Sequence, residues 1–151
     1  MTRLIHVCGA ARTGTTSVGL ALGQGVRTFY SGEVHAYFRP FRQHHWSPQC
    51  SCGMSPCPVW SRMEGAKAAD FVKKSADVLD VDFVVDSSGD PCWALDHHRW
   101  GAKPGYQIID VYTYKEPLAL AYSHWKRGRP VQRALDVFEN HYGRLLNAEL
   151  P

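Results

Sequence analysis

Gly9-Ala10-Ala11-Arg12-Thr13-Gly14-Thr15-Thr16 joins a short apolar run to a segment of helical spacing. A corner of that kind aims several backbone N–H groups and a helix N-terminus at one spot, which is what holding a phosphate requires. The glycine spacing is that of a Walker A loop, but Thr15 stands where its lysine belongs. A cation must then come from elsewhere, and Arg12, inside the loop, is the nearest. Its guanidinium can grip a bridging or transferred oxygen with two parallel hydrogen bonds. The amides of Gly14, Thr15 and Thr16 and the hydroxyls of Thr15 and Thr16 would hold the rest. The same residue types also serve without a ligand: Thr13 or Thr15 as a helix cap, Gly9 as a turn, Arg12 as a solvated loop residue.

A second corner lies in Tyr114-Lys115-Glu116-Pro117-Leu118-Ala119-Leu120-Ala121-Tyr122-Ser123. Lys115 at the carboxyl end of a strand and Ser123 in the following helix converge on one ligand in an open α/β sheet, where ligands collect at that edge. Without a ligand, Lys115 and Glu116 form a solvated pair and Ser123 is a small helical residue. Asp86-Ser87-Ser88 ends a middle strand, and Asp86 either orients the loop or a substrate hydroxyl, or caps the next helix. Glu33, just beyond the second strand, is the candidate base for an acceptor hydroxyl, with His35 as the alternative; a loop glutamate is otherwise a solvated charge.

Between these corners lies the most unusual composition in the chain: Glu33 to Pro40, His44-His45-Trp46, Cys50-Ser51-Cys52-Gly53 and Cys57-Pro58-Val59-Trp60. Cys50, Cys52 and Cys57 with His44 or His45 can complete a tetrahedral zinc, which would order a long stretch without periodicity. The Cys-x-Cys turn is tighter than the usual zinc spacing. Reduced buried thiols, a Cys50–Cys57 disulfide or acceptor-binding histidines are the alternatives.

Positioning these groups requires strands that share an edge. Leu4 to Cys8, Val26 to Tyr30, Phe83 to Asp86 and Tyr106 to Tyr114 read as strands, mostly apolar as in sheets covered on both faces. Helical spacing falls on Val18, Ala21 and Leu22 before Gly23 and Gly25, on a segment through Trp93, Leu95 and His98, on Leu118 to Arg127, and on Val131, Ala134, Leu135, Phe138, Tyr142 and Leu145. Ser61-Arg62-Met63-Glu64 has the form of a capping box ahead of Ala66, Ala69, Phe71 and Val72. The alternation predicts an α/β fold with a parallel sheet of βαβ units, and together with the glycine spacing of the first loop the expectation is a three-layer sheet flanked by helices, P-loop-kinase-like and truncated. The whole of 1–151 is expected to be one domain with an insert at 33–60.

With 17 Lys and Arg against 14 Asp and Glu, the net charge of +3 suits an anionic ligand and gives no basic tail for nucleic acid. No apolar run approaches the roughly 20 residues that cross a bilayer. Five cysteines cannot all pair within one chain, which fits a reduced compartment. A cytoplasmic protein is therefore expected.

Ala11-Arg12-Thr13-Gly14-Thr15-Thr16 resembles the 5′-phosphosulfate loop of the sulfotransferases that use 3′-phosphoadenosine 5′-phosphosulfate (PAPS). There a Lys or Arg precedes Ser/Thr-Gly-Thr/Ser-Thr. The segment from Lys115 to Ser123 is similar to the family's 3′-phosphate element, usually Arg-Asp-Pro-Arg-Ala-x-x-x-Ser, and departs from it at Lys115, Glu116 and Leu118. Asp86-Ser87-Ser88 resembles its Asp-Ser-Ser-Lys, with Gly89 in place of the lysine. The insert looks like one in a bacterial branch, beginning Gly32-Glu33-Val34-His35 and ending in Cys-x-Cys-Gly-x-x-x-Cys-Pro-x-Trp. The resemblance implies that Arg12, Thr13, Gly14, Thr15, Thr16, Lys115 and Ser123 bind PAPS. It further implies that Arg12 assists sulfuryl transfer and that Glu33 takes the acceptor proton. The family continues past Tyr142 with helices and a basic, glycine-containing loop, so a second chain completing the fold, or binding without turnover, is expected of a chain ending at Pro151.

Three functions follow as expectations. The first is a sulfotransferase acting on a hydroxyl or amine of a small molecule, lipid or carbohydrate. The second is a non-catalytic module of the same ancestry that binds a nucleotide or partner. The third is a small-molecule kinase, opposed by the absent Walker lysine and by the lack of a magnesium-binding pair beyond Thr16 and Asp86.

Overall fold

The computed structural model describes residues 1–40, 54–101 and 105–147. Four strands, β1 (Arg3–Cys8), β2 (Thr28–Gly32), β3 (Phe83–Asp86) and β4 (Gln107–Tyr112), form one sheet in the order β2-β3-β1-β4. Every pairing is parallel. All four strands therefore end at the same edge, and every connection must cross a face of the sheet. Six helices make those crossings or follow them: α1 (Thr15–Leu22), α2 (Val34–Phe38), α3 (Phe71–Leu79), α4 (Pro91–Gly101), α5 (Pro117–Trp125) and α6 (Val131–Asn147).

Adjacent residues of a strand point to opposite faces, and β2 shows which helices take which face. Phe29 packs into the main core with Leu4, Val84, Phe71, Val72 and Trp93, so α3 and α4 cover its side. Tyr30 lies against α1, where a Cβ on Gly19 would stand 2.6 Å from its ring and one on Gly23 2.5 Å from its Cβ. Two side-chain-free positions thus let α1 sit close on the sheet. A smaller apolar cluster of Leu120, Ala121 and Ala134, with Phe138 against it, joins α5 to α6.

The strands fall close to their expected places, with shifts that have local causes. β2 starts at Thr28 because Arg27 is left-handed (φ 54°) and its carbonyl accepts the amides of Asp82 and Phe83. Ser61 caps no α-helix. It lies inside a 3-10 turn, Trp60–Met63, which extended backbone at Glu64 and left-handed Gly65 (φ 72°) terminate. The α-helix waits until Phe71, and Phe71, Val72 and Ala76 form its buried face. Asp86 does not cap α4 either. Asp90 does, accepting the amides of Cys92 at 2.8 Å and Trp93 at 3.1 Å. Among the described residues, no helix is long and apolar enough to cross a membrane.

Candidate anion site at the carboxyl edge

β1 and β3 are neighbours, yet their following helices leave for opposite faces, α1 to one and α4 to the other. Such a divergence opens a crevice at the carboxyl edge of an α/β sheet. The loop from Gly9 to Gly14 lies at that edge. Gly14 is left-handed (φ 101°), and α1 begins after it with no side-chain cap and no acidic residue in its first turn. The amides of Gly14, Thr15, Thr16 and Ser17 meet no acceptor among the described residues, nor do the hydroxyls of Thr15 and Thr16. Four orphan donors at a helix N-terminus carry the partial positive charge of its dipole.

Arg12 is exposed, has φ 81° and makes no ion pair among the described residues. Thr13 does not cap α1; its hydroxyl donates to the Ala10 carbonyl at 2.7 Å and meets the Thr113 hydroxyl at 2.8 Å. That ties the loop to the end of β4. Gly9 is required by the closeness of the same place, since a Cβ there would stand 1.9 Å from Thr113 Oγ1. The phenol of Tyr142, in α6, donates to the Thr113 carbonyl at 2.8 Å and locks the last helix onto this junction.

Lys115 and Ser123 belong to the corner after β4, which pairs with β1 up to Cys8 opposite Tyr112. The two corners thus leave neighbouring strands at one edge, about 4.8 Å apart at the ladder. Lys115 and Ser123 are both half-buried and unpaired among the described residues, and Lys115 forms no bridge to Glu116. Pro117 occupies the first turn of α5, where its missing N–H leaves nothing unsatisfied.

Glu33 and His35 follow β2, on the far side of β3. Two ladder steps separate β2 from β1, about 10 Å. Glu33 is exposed at the start of α2. The His35 amide donates to Ser88 Oγ at 2.8 Å and its ring packs edge-on to Trp93 at 5.4 Å. Residues 86–89 link the two sides. Ser88 joins α2 to Asp86, and a Cβ on Gly89 would stand 2.4 Å from the Gly9 carbonyl oxygen.

Beneath the edge lies a buried polar network absent from the expectations above. His6 is paired in register with Asp86 on one side and Asp110 on the other. Its Nδ1 is 3.3 Å from Asp110 Oδ1 and its Nε2 is 3.2 Å from the Ser88 carbonyl. His98 meets the other Asp110 oxygen at 2.6 Å. Asp86 accepts the Trp93 indole N–H at 2.7 Å and lies 3.5 Å from His97 Nε2. Burial pushes the Asp86 carboxyl up, but the close approach of the His97 ring and the charges of His6 and His97 outweigh it and hold it at about 2. Burial pulls His6 down, and its Asp110 hydrogen bond with the charges of both carboxylates leaves it raised. Asp86 is therefore an ionised anchor inside the fold, 1% exposed, with its oxygens already engaged. Cys8, next to the loop, has its thiol pushed up to about 12 by burial and nearby carboxylates, so it stays protonated and is no nucleophile. The signal for this network was present in the sequence as His6, Asp86 and Asp110 inside apolar runs.

Of the proposed zinc ligands, His44, Cys50 and Cys52 lie outside the described residues. Cys57 is described and half-buried. Among the described residues no three His, Cys, Asp or Glu side chains are grouped to hold a metal. No family model, curated protein or solved structure matches the chain.

Proposed function

We propose that the chain is a PAPS-binding unit that transfers a sulfuryl group to a hydroxyl or amine acceptor of a small molecule, lipid or carbohydrate. The observation that carries this reading is the uncapped start of α1, with the unacquitted amides of Gly14 to Ser17 beside Arg12. We read the strand order, with this loop following the inner strand β1, as P-loop-kinase-like. Lys115 and Ser123, from the neighbouring corner, anchor the 3′-phosphate of the nucleotide.

In this reading the acceptor oxygen or nitrogen attacks sulfur in line, and the bond from sulfur to the bridging phosphate oxygen breaks. Arg12 and the loop amides stabilise the negative charge gathering on that bridging oxygen. Glu33 takes the acceptor proton, with His35 as the alternative, and 3′-phosphoadenosine 5′-phosphate departs. The absence of the Walker lysine disfavours ATP. Lysine at 115 keeps the charge of the family's arginine without its fork, which fits binding with looser orientation. That departure, together with Gly89, is what favours a non-catalytic binding module as the second reading.

Calorimetric titration with 3′-phosphoadenosine 5′-phosphate against ADP tests it, on the parent chain and on Arg12→Ala and Lys115→Ala. A preference for the 3′-phosphorylated ligand that Lys115→Ala removes is the expected result. Equal affinity for the two nucleotides overturns it.

A further inference from the structure

His124, in α5, is 1% exposed, yet neither of its ring nitrogens has a hydrogen-bond partner among the described residues. A buried imidazole left without partners is costly and calls for a group to meet it. Its ring faces the backbone of Ala11, in the loop, without closing a hydrogen bond. The surroundings are cationic. The His124 carbonyl accepts the amides of Arg127 at 3.0 Å and Arg129 at 3.1 Å around left-handed Gly128, which folds Arg129 back to the helix end. Arg133 directly precedes Ala134, the residue that packs on Leu120 and Ala121 of α5. The charges of Arg129, Arg12 and Arg133 all bear on the His124 ring. None of the three is ion-paired among the described residues. The opposite edge of the sheet is treated differently: there Arg27 is matched by Asp80 at 3.0 Å and Asp82 at 2.7 Å.

We propose that Arg12, Arg129 and Arg133 bind a tetrahedral oxyanion of a phosphate or sulfate ester against His124, between Ala11 and the turn from α5 to α6. The three guanidiniums supply charge-assisted donors to the anion, and His124 supplies an N–H to one of its oxygens. The inference rests on the loop being an anion site, as in the preceding reading, and adds a wall that neither Lys115 nor Ser123 provides. The oxyanion belongs either to the phosphosulfate of the donor or to an acceptor that already carries a phosphate or sulfate.

The test is calorimetric titration of the full chain with pyrophosphate, alongside nitrogen-15 resonances of the His124 ring. It compares the parent, the double variant Arg129→Ala/Arg133→Ala, and Arg129→Lys/Arg133→Lys. Both arginines are exposed, so the variants should fold, which circular dichroism checks. Pyrophosphate is expected to bind the parent and shift the His124 ring, with affinity about tenfold or more lower in the double alanine variant and partly restored by lysine. Displacement of pyrophosphate by 3′-phosphoadenosine 5′-phosphate assigns the position to the donor, whereas simultaneous binding assigns it to an anionic acceptor. Failure of pyrophosphate to bind, an unmoved His124 ring, or equal affinity in parent and double alanine variant overturns the proposal. The nucleotide reading fails separately. If Lys115→Ala removes the preference over ADP while Arg129→Ala/Arg133→Ala changes nothing, that reading stands and this one falls; the reverse pattern does the opposite.

Discussion

The hydroxyls of Thr13 and Thr113 meet at 2.8 Å, and through them the loop after β1 is fixed to the end of β4. Gly9 faces the same Thr113, so Gly9→Ala would drive a methyl to 1.9 Å from its Oγ1 and 2.9 Å from its carbonyl oxygen. Overpacking of this kind costs about 1–3 kcal/mol. Thermal unfolding should show the loss. Adding Thr113→Ala should recover only part of it, because the backbone oxygen remains in the way. Full recovery would mean that the carbonyl yields freely.

Gly89 stands where the resembled family has a lysine, and the geometry gives a reason. A Cβ there would lie 2.4 Å from the Gly9 carbonyl oxygen, a backbone atom of the loop itself. Gly89→Lys should therefore fail to strengthen nucleotide binding despite its added charge. It should weaken binding by displacing the loop, and Gly89→Ala should weaken it comparably. Titration with 3′-phosphoadenosine 5′-phosphate would expose the error if the lysine variant bound more tightly than the alanine variant.

How far the sequence revealed this arrangement depended on the range of the cause. The corner at Gly9 to Thr16 was legible because glycine spacing and a helix start are local, and the strands because they are short apolar runs. Strand order was not, so nothing local could say that Lys115 leaves the neighbour of β1 while Glu33 lies two strands away. The network of His6, Asp86 and Asp110 exists only through the register of three strands. His6 and Asp110 read singly as polar interruptions, and Asp86 as an orienting carboxylate or a helix cap. Ser61 misled for the converse reason: its capping pattern is local, and Gly65 four residues later overrides it. His124 was invisible because its burial depends on α5 packing against both the loop and α6.

Glu33 and His35 differ in a way that kinetics can separate. Glu33 is exposed at the carboxyl edge, whereas the His35 backbone is tied to Ser88 and its ring rests on Trp93. Loss of a general base costs typically about 10²–10⁴ in rate. With a panel of phenols, amines and glycosides as acceptors, Glu33→Ala should reduce kcat within that range and leave 3′-phosphoadenosine 5′-phosphate affinity within about twofold. His35→Ala should instead lower stability through its Trp93 contact. A larger kcat loss from His35→Ala would exchange the two roles.

We further propose that Cys50, Cys52 and Cys57, with His44 or His45, hold one zinc. Metal analysis of the folded chain should find one zinc per molecule, and Cys57→Ser should remove it together with part of the thermal stability. A folded chain without zinc would leave the cysteines as thiols or a disulfide.

Stability should peak near neutral pH, because His6 and His97 oppose one another across the ordinary histidine value. His6 is raised: burial lowers it, but Asp110 and Asp86 win, so the fold binds its proton more tightly than the unfolded chain does. Its contribution is complete below 6.5 and is lost as pH rises through the folded value. His97 is lowered, chiefly by burial, so the unfolded chain is the better proton acceptor. Stability is then lost as pH falls from 6.5 through its folded value. Asp86, held at about 2 against an ordinary 3.8, adds a further loss only in that more acidic interval. By linkage it is on the order of 2 kcal/mol. Melting temperature measured from pH 3 to 9 should thus trace a dome. His6→Gln should flatten its alkaline limb and His97→Gln the limb just below neutrality. A parent profile that is flat between pH 5 and 8, with both variants parallel to it, would show that these histidines do not change charge on unfolding.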